Sequence, residues 1–310
     1  MDEQDKQDIQ KKQRDLLLEI ACCEIAKERV SLLIHEKGEI DLKSHDCNAV
    51  CKFQYDIIQK ANGSKQEVTK AMFHVPEPWN GDLKTAEILF VSSNPSIDLD
   101  EKKFPKFESE EWSEDKKDGV VDFFSKRLES YKNNYWTGIR KYTAWILEVT
   151  DPSWAPDKEN EEDKIKEIAS RVALTEIVHC KSEKECGASE AAKTCFEKYT
   201  KKVIEYFLKT RSASGNKKTV VFIGGLARNT VCNQARTDKV NVDREKIAEY
   251  FGVSDENARF LCFPHPGVRK SWKTWNSGKV KNFVGNERKV IIKEIINKEL
   301  EQYGYSQPSY

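Results

Sequence analysis

The chain has 310 residues, of which 34% are charged and 38% are hydrophobic, and its 52 basic residues balance 52 acidic ones. This composition is typical of a globular protein with a heavily solvated surface. Because the net charge is zero, the total charge does not argue for a nucleic-acid or membrane partner, which would need a local patch of charge.

Targeting signals and disulfides are not expected. No apolar run in the sequence approaches the roughly 20 residues that a membrane span needs. The first residues lack the basic and then apolar pattern of a signal peptide. The nine cysteines show no even spacing, which favours free thiols over a disulfide framework. We therefore expect a cytoplasmic protein without membrane contact.

The N-terminal part of the chain is predicted to be helical. Residues 5–36 carry a loose apolar stripe among lysines and glutamates, and a second helix covers residues 47–62. No strand signal occurs before the main alternation begins. We therefore expect residues 1–75 to form a helical extension and residues 76–310 to form the main domain.

Downstream, short apolar strands alternate with helices. The predicted strands cover residues 87–92, 172–179, 219–223 and 258–263. Helices are predicted over residues 120–131, 136–149, 189–208, 243–251 and 280–303 and from Gly224 onward, and the acidic stretch 151–163 is predicted to be a surface loop. This alternation predicts a three-layer α/β/α protein with a short, mostly parallel four-stranded sheet.

The ends of the first and last predicted strands are polar turns. The stretch "AEILFVSSNPSID" runs from a buried strand into Ser92-Ser93-Asn94-Pro95-Ser96, and the last strand runs into Pro264-His265-Pro266-Gly267. Ligands of open parallel sheets bind beyond the carboxyl ends of the strands, so we expect a pocket there. Gly224-Gly225 matches no phosphate-binding loop, which makes a nucleotide-processing enzyme a weak alternative.

The segments "SSNPS" and "FPHPGVRKSW" together resemble the paired motifs of the uracil-DNA glycosylase superfamily. In that family the first motif has the form G-x-N-P-G, and the second has His-Pro followed by a loop that enters DNA. The segments "ALTEIVHCKS" and "VVFIGGLA" are similar to the family's middle strands in order and character. The resemblance covers about residues 86–290 and implies a uracil-DNA glycosylase-like fold for that part.

The resemblance implies catalytic roles for Asn94 and His265. Cleavage of an N-glycosidic bond develops positive charge on the sugar and negative charge on the departing base, and a water must be aimed at the sugar carbon. In the family the Asn of the first motif positions this water, and the His of the last motif hydrogen-bonds to O2 of the base. The alternatives are an Asx turn before Pro95 and a histidine that caps a nearby group.

Two departures from the family pattern bear on the substrate. Ser92 and Ser96 stand where the family usually has Gly, and a serine at position 96 leaves room beside the C5 edge of a base. Glu176 stands where the family commonly has an Asn that reads uracil. An ionised Glu only accepts hydrogen bonds, which favours the N4 amino group of cytosine over O4 of uracil. The residues assigned to substrate binding are Ser92, Ser93, Ser96 and Glu176.

Glu176 also has a simpler interpretation as one partner of an ion pair with Lys181 or Arg171 at the rim.

The basic residues after the second motif point to DNA contact. Between His265 and Lys289 the chain carries seven basic residues against one acidic residue, with two tryptophans among them. The residues assigned to DNA binding are Arg269, Lys270, Trp272, Lys273 and Lys181. The alternative is an ordinary solvated face of a basic helix.

No cofactor or metal is expected. Some branches of the superfamily carry an iron–sulfur cluster on four cysteines. Cys47, Cys51, Cys180 and Cys195 resemble that arrangement loosely, but three residues separate the first two instead of two. A cluster on these cysteines is therefore kept as the alternative to buried free thiols.

The resemblance implies a monofunctional DNA glycosylase, because apart from Lys181 no lysine stands near the predicted pocket to form a Schiff base. Its substrate would be a flipped-out 5-substituted cytosine, its product an abasic site, and its role defence against phage DNA. The alternatives are a uracil-DNA glycosylase of base-excision repair and a non-catalytic DNA-binding protein on the same fold. DNA is the expected partner, and the protein is expected to be a monomer.

Overall fold

The computed structural model describes the greater part of the chain up to Phe263. The described residues are 3–63, 67–99, 103–107, 112–130, 134–151, 154, 161–210, 217–237, 247–254 and 257–263. Within these residues, no helix is both long enough and apolar enough to cross a membrane.

The N-terminal region is helical, as predicted, but its first helix is interrupted. Helix α1 spans Glu3–Ala21, α2 spans Glu24–His35 and α3 spans Asn48–Asn62. The interruption falls at Cys23, whose φ of −46° and ψ of 113° are not helical. The single helix predicted over residues 5–36 is therefore wrong. The apolar stripe continues on both sides of the break, so the periodicity alone does not reveal it.

The remaining elements follow in alternation. The strands are β1 Trp79–Asn80, β2 Ile88–Ser92, β3 Val172–Glu176, β4 Lys218–Ile223 and β5 Ala258–Phe263. The helices are α4 Glu114–Ser130, α5 Asn134–Thr150, α6 Glu161–Ser170, α7 Ala188–Cys195, α8 Lys201–Lys209, α9 Gly224–Thr237 and α10 Ile247–Tyr250. A short 3-10 helix covers Lys70–Met72, and one turn of π-helix, Phe196–Thr200, joins α7 to α8.

The strands form one mixed sheet in the order β1-β3-β2-β4-β5. Strand β2 pairs in parallel with β4, and β4 pairs in parallel with β5. The predicted α/β class is confirmed, and all four predicted strands are present. The predicted number of four strands is wrong, because β1 adds a fifth. With only two residues, β1 is too short to show an alternating or continuous apolar pattern.

The chain divides into two compact units. Unit 1 comprises Met1–Asn80, Ser92–Lys126 and Thr175–Tyr206, and unit 2 comprises Gly81–Val91, Arg127–Leu174 and Phe207–Tyr310. The N-terminal helices thus group with two later segments of the chain. The domain boundary expected between residues 75 and 76 does not coincide with a boundary between these two units, and it stays a prediction.

The core of unit 2 is built on alternate residues of its strands. The side chains on one face are Ile88, Phe90, Val172, Leu174, Val221, Ile223, Leu261 and Phe263, and they pack with aromatic and aliphatic residues of α5. The intervening residues, such as Leu89, Ala173, Val220 and Phe222, are also fully buried. Burial on both faces explains why these strands read as continuous apolar runs in the sequence.

Unit 2 also contains a buried cluster of charges around Arg171. Its Nε lies 2.7 Å from Oε1 of Glu87, and its Nη2 lies 2.6 Å from Oδ2 of Asp151. Both carboxylate side chains are at most 5% exposed. The guanidinium also lies 5.7 Å from the ring centre of Trp154. The two buried carboxylates therefore depend on the Arg171 guanidinium to compensate their charge.

We predict that Arg171→Met lowers the free energy of unfolding by about 3–5 kcal/mol, because it leaves two buried carboxylates without their cation. Lys166→Met is the matched control, since Lys166 pairs with Glu162 on the surface, where both side chains are more than half exposed. That variant should cost less than about 1 kcal/mol. Urea unfolding of the three proteins measures both values, and equal losses would contradict the assigned role of Arg171.

Candidate functional site

The candidate site lies in unit 1, where the carboxyl ends of β2 and β3 continue side by side. The backbone N–H of Ile177 donates to the carbonyl of Ser92 at 2.8 Å, and that of Val178 donates to the carbonyl of Ser93 at 3.0 Å. Pro95 has no N–H to donate, but its carbonyl accepts from the backbone N–H of Ser182 at 3.1 Å. The polar turn after β2 is therefore held against the chain that follows β3.

Asn94 occupies the centre of this turn and is half-buried. Its Nδ2 donates to Oγ of Ser182 at 2.7 Å and lies 3.3 Å from the carbonyl oxygen of Pro95. Ser92 and Ser93 are buried, whereas Ser96 is exposed. The structure thus brings together the residues of the first motif that the sequence analysis assigned to catalysis and substrate binding.

Lys181 lies in the interior directly beside this turn. Its Nζ is 2.8 Å from Oε2 of Glu77, and the two side chains are 1% and 3% exposed. The same ammonium donates to the carbonyl of Ser96 at 3.2 Å and lies 3.8 Å from the ring centre of Phe104. Asn80 donates to the other oxygen of Glu77 at 2.6 Å. Lys181 was predicted as a DNA contact, but a buried and ion-paired ammonium does not occupy the position of a surface cation.

Glu176 is the last residue of β3 and is buried. Its backbone carbonyl accepts a hydrogen bond from the hydroxyl of Thr200 at 2.9 Å. The two cations considered as its partners each bind other carboxylates, since Lys181 pairs with Glu77 and Arg171 pairs within unit 2. A buried carboxylate therefore stands at the end of β3, beside the strand that carries the Asn94 turn.

His179 belongs to the same polar network, although no motif in the sequence points to it. Its Nδ1 is 2.7 Å from the carbonyl of Glu77, so this nitrogen carries the hydrogen, and its Nε2 is 3.2 Å from the hydroxyl of Thr200. Burial lowers the pKa of His179 to about 4. The imidazole is therefore neutral at neutral pH and supports the site structurally.

We predict that acid destabilises the protein through His179 before its carboxylates titrate fully. The unfolded histidine binds a proton near pH 6.5 and the folded one only near pH 4, so the free energy of unfolding falls as the pH falls between these values. The loss reaches about 3 kcal/mol at the acid end of this window.

Urea unfolding between pH 7 and pH 4.5 checks this prediction. His179→Gln should flatten the dependence on pH in this range, whatever its own effect on stability. His35→Gln is the control, because the side chain of His35 is 83% exposed. If the free energy of unfolding of His179→Gln depends on pH as steeply as that of the wild type, another group causes the dependence.

Unit 1 also contains two hydrogen-bonded pairs of buried cysteines. Cys195 hydrogen-bonds to Cys47, and Cys180 hydrogen-bonds to Cys51. These contacts, together with burial, raise the pKa of Cys195 and of Cys180, whereas the bond from Cys195 lowers the pKa of Cys47. Cys23 lies near enough to contribute to the electrostatics of Cys180 and Cys195.

A glycine explains why the helices that carry these cysteines approach so closely. Gly187 precedes α7 with φ of +71°, and a Cβ there would lie 2.6 Å from the carbonyl carbon of Ala49 in α3. Only glycine suits both the conformation and the space. The close approach brings the start of α7 against the start of α3. Among the described residues, however, no three His, Cys, Asp or Glu side chains are grouped so that they could hold a metal ion.

The other predicted site residues lie outside the described part of the chain. They are His265, Arg269, Lys270, Trp272 and Lys273. Their roles stay predictions. No protein-family model matches this chain, and no curated protein matches it.

Several polar side chains lie at the adjoining ends of β2 and β3. An amide at Asn94, a carboxylate at Glu176 and the hydroxyls of Ser92 and Ser93 supply acceptors and donors on neighbouring strand ends. Buried polar groups at the carboxyl edge of parallel strands are the usual ingredients of a ligand site in α/β proteins.

Proposed function

We propose that this chain is a monofunctional DNA glycosylase of the uracil-DNA glycosylase type that releases a 5-substituted cytosine and leaves an abasic site. One observation carries the proposal most directly. The Asn94 turn and the buried carboxylate of Glu176 stand at adjoining strand ends that are joined by backbone hydrogen bonds. In this proposal Asn94 positions the attacking water, and Glu176 contacts the base that is released.

In the proposed reaction, Oδ1 of Asn94 accepts a hydrogen bond from a water and aims its oxygen at C1′ of the deoxyribose. The N-glycosidic bond breaks, and its electron pair leaves with the base. The water oxygen then bonds to C1′ as its proton is lost to solvent. His265 would donate a hydrogen bond to O2 of the base, where negative charge accumulates.

Base selection would rest on Glu176. Its carboxylate would accept from the N4 amino group of a flipped-out cytosine, whereas O4 of uracil would face it as a second acceptor. Ser96 is exposed and small, which supports space for a substituent at C5. These two features support a modified cytosine as the proposed substrate class. The proposed role in defence rests on the resemblance to members of the superfamily that act on modified bases of phage DNA.

DNA binding would come from the basic segment after His265. Its cations would neutralise phosphates, and Trp272 would fill the gap that the extruded base leaves in the stack. Lys181 is not part of this proposal as a phosphate contact, because its ammonium is buried against Glu77. We propose instead that it supports the Ser96 backbone from inside.

The proposed hydrolysis uses water and assigns no step to a cofactor. An iron–sulfur cluster on Cys47, Cys51, Cys180 and Cys195 is the alternative. The donor set fits such a cluster in chemical type, since four buried thiols gather in two hydrogen-bonded pairs. The cluster therefore stays the alternative to buried free thiols.

Base release by the wild-type protein is the decisive measurement. Duplex and single-stranded oligonucleotides that contain uracil, cytosine or 5-substituted cytosines are incubated with the protein, and abasic sites are cleaved with alkali. Preferential release of uracil would favour the alternative of a uracil-DNA glycosylase in base-excision repair. DNA binding without release from any oligonucleotide would favour the non-catalytic alternative.

We predict that Asn94→Ala and His265→Ala each lower the single-turnover rate of base release by about 100-fold or more, because a group that stabilises the transition state contributes about 2.7–4 kcal/mol. Asn229→Ala, a change at an exposed position of α9, is the matched control and should leave the rate unchanged. Thermal unfolding checks that the variants fold. Full activity of the double variant would remove both catalytic assignments.

We predict that Glu176→Gln changes selectivity more than folding. Glutamine has the same size but can turn its amide to donate to O4 of uracil, and a complementary edge contact is worth about 1–3 kcal/mol. The ratio of the rates on uracil and on modified cytosine should therefore shift by about tenfold or more towards uracil. Glu183→Gln, at an exposed position, is the control. An equal fall on both bases would show that Glu176 has only an electrostatic role.

A further inference from the structure

Ser182 lies beside Asn94 because the backbone keeps two turns in register. The N–H of Ser182 donates to the carbonyl of Pro95 at 3.1 Å, and Ser182 forms an isolated parallel bridge with Ser96. These contacts extend the pairing beyond the ends of β2 and β3. The side chain of Ser182 is thereby carried to the Asn94 turn, where it is 1% exposed.

The contacts of Asn94 determine which way its amide points. Nδ2 has two hydrogens, and it lies 2.7 Å from Oγ of Ser182 and 3.3 Å from the carbonyl oxygen of Pro95. A carbonyl oxygen only accepts hydrogen bonds, so a reversed amide would set two acceptors against each other. Nδ2 therefore faces Ser182 and Pro95, and Oδ1 is the end that remains for a water or a ligand.

The neighbouring residue stabilises the same turn at its other end. Lys181 donates to the carbonyl of Ser96 while it is ion-paired with buried Glu77. Consecutive residues after β3 thus hold the turn at two points. Lys181 holds its backbone, and Ser182 holds the side chain at its centre.

We propose that Ser182 is a positioning residue that, together with the carbonyl of Pro95, holds the Asn94 carboxamide in one orientation, so that Oδ1 is presented as a hydrogen-bond acceptor. This inference rests on the proposed function, in which Oδ1 aims the attacking water. In that reaction Ser182 touches neither the water nor the base, and it acts only through Asn94. Its loss should therefore slow the chemical step without weakening the binding of DNA.

Single-turnover kinetics test this role. Ser182→Ala should lower the rate of base release by about 3- to 10-fold, the equivalent of one lost hydrogen bond, with the dissociation constant for DNA unchanged. Ser182→Thr keeps the hydroxyl and should keep most of the rate. Ser189→Ala is the matched control, because the Ser189 hydroxyl is exposed and donates to the neighbouring Glu190.

A double-mutant cycle separates positioning from general support of the fold. In an Asn94→Ala background, Ser182→Ala should cause no further loss of rate, because the group that it orients is gone. An equal loss in both backgrounds, or weaker DNA binding as the main effect, would overturn the inference.

Hydrogen exchange of the Asn94 side chain tests the same contact without reference to activity. Nuclear magnetic resonance of protein labelled at Asn94 should show one slowly exchanging Nδ2 hydrogen in the wild type and faster exchange in Ser182→Ala. Equal exchange in the two proteins would overturn the inference, even if base release is slowed. A wild type that releases no base contradicts the proposed function, and the exchange rates then decide whether Ser182 orients the amide.

Discussion

The ion pair between Lys181 and Glu77 connects most of the polar groups at the candidate site. An ammonium and a carboxylate that are both almost fully buried are tolerated only when their remaining hydrogen-bonding capacity is used. Lys181 uses it on the carbonyl of Ser96, and the backbone of Glu77 exchanges hydrogen bonds with His179. Removal of either charge would leave the other buried and would loosen the turn that carries Asn94.

The polar groups around this pair form a network with little freedom to rearrange. His179 is neutral and donates through Nδ1 to the carbonyl of Glu77, and Asn80 donates to the carboxylate of Glu77. The single hydroxyl hydrogen of Thr200 lies within reach of Nε2 of His179 and of the carbonyl at the end of β3. A network of this kind costs free energy if any member lacks a partner, so it specifies one arrangement. Side chains held in one arrangement before a ligand arrives are what a catalytic site needs.

The sequence predicts the strands of unit 2 well because their burial on both faces leaves unbroken apolar runs such as those of β2 and β4. It does not reveal β1, which has two residues, or the start of α6 inside a stretch that reads as an acidic loop. The Asn94 turn is predictable from Asn-Pro after a buried strand. The burial of Lys181 is not, because its partner Glu77 lies far away in the chain.

The π-helical turn between α7 and α8 constrains the length of the chain as well as its composition. Phe196–Thr200 carries one residue more than a regular α-helical path would need, and Thr200 at its end is fully buried. The turn takes up the extra residue within itself, so Val203 and Ile204 keep the buried facing that they would have in a regular helix. Loss of one residue there would restore a regular helix and displace the Thr200 hydroxyl from the backbone carbonyl of Glu176. Related chains with a regular helix at this point should therefore lack that hydrogen bond.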